Sequence, residues 1–152
     1  MTQQLDPAVE LKVQKGIRQA EDNLVIWIQK ALDETDYPSN DRDKLEESQF
    51  RNLVRVSDTT ESPEVVKNFL RYQVGRDKKW GRGKNSLAER IISDIDGNLK
   101  NQAAEISKKI NDDLNVNGVE KIKEIKEIHI QLIRLYLGYG ARHLKYRNDG
   151  RS

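Results

Sequence analysis

The chain has 152 residues, 34% of them charged and 36% aliphatic or aromatic, with a mean hydropathy of −0.85 and a net charge of +2. That is enough for one domain with a narrow core, and the absence of cysteine excludes a disulfide framework and a thiolate metal site. With no signal-peptide core and no apolar run near about 18 residues, the expected location is the cytoplasm, without a membrane span.

Asp6 and Pro7 open the first expected helix as cap and first-turn proline. Val9, Val13, Ile17, Ala20, Leu24, Trp27, Ile28, Ala31 and Leu32 then recur at three- and four-residue spacing, one apolar stripe that overrides the cost of Gly16. The stretch 33–47, with Tyr37, Pro38, Ser39 and Asn40, reads as an acidic linker. A short helix follows in SQFRNLVRV (48–56), with Phe50, Leu53 and Val54 inward. Ser62, Pro63 and Glu64 start a third, which directs Val66, Phe69, Leu70 and Gln73 or Val74 inward and ends near Gly75.

Ser86 and Glu89 form a capping-box pattern. Behind them Ala88, Ile92, Ile95, Leu99, Ala103, Ile106 and Ile110 mark a helix over 87–114, about 42 Å long at 1.5 Å per residue. NVNG (115–118) is a turn, and Ile122, Ile125, Ile128, Leu132, Leu135, Tyr136 and Tyr139 mark a last helix running to about Tyr146. No alternating strand pattern competes. The expected fold is all-α, a five-helix bundle with a long antiparallel C-terminal helix pair. It forms one helical domain over 1–152, divided into an N-terminal helix (1–32), the acidic linker (33–47) and a helical core (48–152).

Charge is zoned along this frame. The stretch 33–47 holds seven acids against Arg42 and Lys44, a net of −5; 71–90 holds seven bases against Asp77 and Glu89, a net of +5; and 139–152 has a net of +3. Catalytic chemistry is thin. His129 and His143 stand fourteen residues apart, about 21 Å along one helix, too far to share a metal or form a dyad. Each reads as a surface or boundary imidazole, with His143 among bases where it can touch a phosphate. Gly83-Lys84 fails as a phosphate loop, because Lys78 and Asn85 occupy the positions that need Gly and Ser or Thr. Asp94/Asp96 and Asp112/Asp113 read as solvating acids. No enzyme, metal site or cofactor is expected.

RYQVGRDKKWGRGK (71–84) is the stronger signal, with six bases, Tyr72, Trp80 and three glycines in fourteen residues. Cations gain affinity for a polyanion by releasing its counterions, without strict sequence order. Arg51 and Arg55 stand four apart on one helix, and Lys67 and Arg71 four apart on the next, each pair a one-face stripe. Arg76, Lys78, Lys79 and Arg82 extend these stripes into the loop, where Tyr72 and Trp80 can stack on unpaired bases or plug the core. The bland alternative is a solvated basic surface in a charge-rich chain.

Three segments in order, SQFRNLVRV (48–56), FLRYQVGRD (69–77) and IRLYLGYGARHLKYRNDG (133–150), together resemble the Csm-type small subunit of type III CRISPR effector complexes. The resemblance covers roughly 45–150 and departs in the tail, the basic loop and the N-terminal helix. It implies a helical, non-catalytic protein that stacks in several copies and supports guide RNA and target RNA beside other effector subunits. Arg51, Arg76 and Lys145 match motif positions. The reading of the residues themselves adds Arg55, Lys67, Arg71, Lys78, Lys79, Arg82, Arg142 and Arg147 as backbone contacts, which carry no sequence information. The rival is a helical adapter whose −5 and +5 zones dock head to tail between copies.

Overall fold

The computed structural model describes residues 7–39, 42–114 and 118–150, without the side chains of 114 and 118–124. The chain is all-α: α1 (Pro7–Glu34), α2 (Glu47–Thr59), α3 (Pro63–Arg76), α4 (Leu87–Asp94), α5 (Lys100–Leu114) and α6 (Gly118–Asp149). A single π turn, Ile95–Leu99, joins α4 and α5 into the long rod the periodicity predicts. Asp6, Asn40, Asp41, the turn residues 115–117 and Arg151 lie outside the described residues, as does the side chain of Ile122.

Three long rods make the frame. α6 packs along α1 and α5, and α1 along α4 and α5. Gln14 bonds Gln131 and Asp33 bonds Arg147, so α1 and α6 run parallel. Lys12 pairs with Asp113 and Glu34 with Arg90, so α1 runs antiparallel to the α4–α5 rod. The α2–α3 hairpin lies across this frame, with α2 on α6 and α3 on α4. Arg134 donates to the Ser57 and Thr60 carbonyls, both at 2.8 Å, and ties the hairpin bend to α6.

Caps set the helix starts. Ser62 and Ser86 accept the N–H groups of Val65 and Glu89. Glu46 and Gln49 form a reciprocal box at α2, so that helix begins at Glu47, one residue before its expected start. The stripe of α1 is buried as spaced, with Val9 and Trp27 half-buried at its margin. Two glycines serve contact: a Cβ on Gly16 would come within 2.7 Å of Ile106 Cγ2, and one on Gly140 within 2.6 Å of the Phe50 ring and 2.7 Å of Ile28. Gly140 therefore lets α1, α2 and α6 meet at one point.

Candidate nucleic-acid interface

Because α1, α3 and α6 end where α2 and α4 begin, one end of the bundle gathers the acidic stretch, the glycine-bearing loop and the basic tail. Asp33 accepts bonds from His143 (2.9 Å) and Arg147 (2.5 Å), and Asn148 donates to the Leu45 carbonyl at 3.1 Å. On its other side, Asp36 bonds through its N–H to Asn85 at 2.8 Å and through its carbonyl to the N–H of Leu87 at 3.3 Å. At Asp36 and at Leu45 the chain between α1 and α2 is thus braced by its neighbours.

Partial burial would raise the Asp33 carboxyl, but the hydrogen bonds and charges of His143 and Arg147 hold it below its ordinary 3.8. A lowered folded value contributes stability that is complete above 3.8 and lost as pH falls through that lowered value. Asp33→Asn is expected to be less stable than the parent at neutral pH and less acid-sensitive below about 4. Denaturant titrations across that pH range check it.

The loop after α3 is equally built. Gly81 (φ +78°) and Gly83 (φ +89°) occupy left-handed backbone, where side chains are strained. Gly81 donates to the Lys78 carbonyl, Ser86 to that of Gly83, and Ala88 to that of Trp80. Trp80 is 1% exposed and meets Phe50 with ring centroids 5.4 Å apart. Of the two alternatives for Trp80, the structure takes the core plug, which anchors the loop from inside. Tyr72 on α3 is 61% exposed and turns its ring to solvent.

The basic residues expected at the interface fall into three groups. Lys67 is a correction: at 5% exposure it turns inward and pairs with Asp96 (2.7 Å) and Glu64 (2.8 Å), so it contributes no surface charge. Burial would lower its ammonium, but the bonds to both carboxylates hold it above its ordinary 10.5. Lys67→Met is expected to leave RNA binding unchanged, with stability shifted by no more than about 1 kcal/mol, because Asp96 and Glu64 stay solvated. Parallel binding and thermal-melt measurements check both halves.

A second group is engaged within the chain. Arg147 is half-buried and held by Asp33, with its Nε buried. Lys145 pairs with Asp149 (3.2 Å) and Glu47 (3.9 Å), and Arg51 with Glu47 (2.6 Å), so these two cations share one acid. Lys79 reaches the Arg42 and Lys44 carbonyls at 3.4 and 3.3 Å and clamps the neighbouring loop. Arg55 donates to Asn52, and Arg142 lies 5.9 Å from the Tyr139 ring; both remain exposed. The third group is free: Arg71, Arg76, Lys78, Arg82 and also Lys84 are exposed, and their side chains make no ion pair or hydrogen bond among the described residues.

Sequence reasoning missed the polar cluster beside the π turn. Asp94, read as a solvating acid, is 3% exposed and accepts a 2.5 Å bond from the Tyr136 hydroxyl and one from Asn98. Burial raises its carboxyl and pushes the Tyr136 phenol well up. His129 is likewise buried, correcting its reading as a surface or boundary group. Its Nε2–H donates to the Ile95 carbonyl at 2.7 Å, where the helical ladder widens, and burial keeps the imidazole below 6.5. These groups are mutually satisfied and join α4 to α6. His143, bonded to Asp33, is tied to a carboxylate rather than offered to a phosphate.

Among the described residues, no group of three or more His, Cys, Asp or Glu side chains converges to hold a metal ion, and no helix is long and apolar enough to cross a membrane. No protein-family model, curated protein or solved structure matches the chain.

Proposed function

We propose that the protein is a non-catalytic RNA-binding subunit, the small subunit of a type III CRISPR ribonucleoprotein. In this reading it supports guide RNA and target RNA by their phosphates in the cytoplasm, stacked against other effector subunits and copies of itself. One observation carries it: Arg71 and Arg76 on α3, and Lys78, Arg82 and Lys84 on the loop that follows it, stand exposed and unpaired among the described residues, and the backbone of that loop is held by its own hydrogen bonds. The tail cations Lys145 and Arg147, by contrast, are occupied by acids of the same chain.

Cations carried on an already ordered helix end and loop spare the cost of fixing that backbone when a strand binds, so more of their counterion-release gain is kept. Exposed Tyr72 stands one turn before Arg76 on α3 and adds a face for an unpaired base. The resemblance of 48–56, 69–77 and 133–150 to the small-subunit motifs supplies the assembly. The rival adapter requires the acidic stretch of one copy to meet the basic loop of another, yet both lie side by side in a single molecule, joined at Asp36 and Asn85.

The test is to tag the protein in its native cell, purify it at moderate salt and identify what accompanies it. Larger effector proteins together with guide RNA of defined length are the expected result. Recovery as a lone oligomer without nucleic acid overturns the reading and leaves the basic loop as a docking element.

A further inference from the structure

Between the end of α1 and the glycine-bearing loop lies an open cleft of about 560 Å³, whose lining includes Asp36, Tyr37, Lys78, Gly81 and Arg82. Its volume falls within the range of about 300–1,000 Å³ common for small-ligand sites. The walls are fixed on both sides. Asp36 is held by backbone bonds to Asn85 and Leu87, and Tyr37 is pinned through its hydroxyl to the Leu32 carbonyl at 2.8 Å. Gly81 completes the floor, where an added Cβ would stand 2.2 Å from the Asp36 carbonyl oxygen.

The chemistry of the lining is mixed in a specific way. Lys78 and Arg82 are unpaired cations, and the Asp36 carboxylate in the same cleft is exposed and makes no side-chain bond among the described residues. Two cations alone would suit any small anion. An unpaired carboxylate beside them repels a bare phosphate and instead accepts hydrogen bonds from hydroxyl donors. A ligand that satisfies all three groups carries a phosphate and, on the same molecule, free hydroxyls.

We infer that this cleft holds one ribonucleotide of the bound strand, with its phosphate on Lys78 and Arg82 and its ribose 2′-hydroxyl on the Asp36 carboxylate. The inference rests on the RNA-binding reading and deepens it. The cations at 71–84 retain any single strand, whereas Asp36 distinguishes RNA from DNA, because the 2′-hydroxyl is the donor that DNA lacks. The groove between α1 and α5 is a poorer candidate, since its lysines face Glu105 and Asp113 and Lys12 already pairs with Asp113.

The experiment is equilibrium binding of the full-length protein to a labelled oligoribonucleotide and to the all-deoxy strand of the same base order, at one fixed salt concentration. The parent is expected to prefer the ribo strand about tenfold, the worth of one hydrogen bond to a charged acceptor. Asp36→Ala should bring that ratio close to one; its backbone bonds to Asn85 and Leu87 remain available, and a thermal melt verifies the fold. Lys78→Ala with Arg82→Ala should weaken both strands alike and leave the preference in place. A parent without preference, or an Asp36→Ala variant that keeps it, overturns the ribonucleotide site while leaving RNA binding intact. Failure of the parent to bind either strand overturns the RNA reading itself, and this inference with it.

Discussion

Reversing Arg71 and Arg76 together to Glu is expected to lower affinity for single-stranded RNA roughly 100-fold at moderate salt, with little change in stability. Neither side chain is bonded within the described fold, so the substitution removes no internal partner. What it removes is polyanion attraction. If all five free cations each meet one phosphate, the slope of log K against log salt is about −3.5, from about −0.7 per contact on a single strand. The double reversal should flatten that slope to about −2 and weaken every base order alike, since backbone contacts do not read bases. A titration at three salt concentrations checks both numbers. Parent-like affinity in the variant would show that the strand, if one binds, lies elsewhere. Lys67→Met is the matched control, a lysine four residues away on the same helix whose loss should not be felt.

Gly81→Ala is expected to be the most destabilising single methyl in the loop, by about 2–4 kcal/mol, with Gly83→Ala near about 1–2 kcal/mol. Both glycines have φ in the left-handed region, so both variants bear backbone strain. At Gly83 an added Cβ meets nothing within 4 Å, and strain is the whole cost. At Gly81 it meets the Asp36 carbonyl oxygen at 2.2 Å, and a backbone atom cannot rotate aside as a side chain does. The loop must then part from Asp36, which loosens Trp80 against Phe50 and opens the anchoring bonds to Asn85 and Leu87. Denaturant melts of the two variants beside the parent test the difference. Equal losses would mean that the close approach to Asp36 is not maintained in solution.

The elements were legible because each announces itself locally. The stripe from Val9 to Leu32, the Ser62-Pro63 start and the Ser86 cap all lie within one or two helical turns of what they specify, and each appears where its spacing places it. The candidate interface was legible only in part, for a physical reason. A base at a given helical phase can face water or reach an acid on another element, and sequence spacing does not reveal that acid. Lys67 and Arg71 share a spacing of four, yet Lys67 meets Asp96 from the π turn, twenty-nine residues away, while Arg71 meets solvent. The tail looked as basic as the loop, but Asp33, over a hundred residues upstream, occupies Arg147 and His143. Asp94 and His129 are hidden in the same way, because their partners Tyr136 and the Ile95 carbonyl come from the opposite rod. The π turn left no periodic trace, since Ile95 and Leu99 keep the four-residue spacing of an unbroken helix.

The parallel course of α1 and α6 separates two poles of the molecule. α1 spans 28 residues, about 42 Å at 1.5 Å per residue, so Pro7 stands roughly that far from the pole where α6 ends. A fluorescent or affinity fusion joined before α1 therefore leaves the loop and its cleft clear. The same fusion joined after α6 emerges beside Arg147 and Asn148, the side chains that brace Asp33 and the Leu45 carbonyl, and shades the surface under test. Handles for capture and for distance measurement belong at the amino-terminal pole.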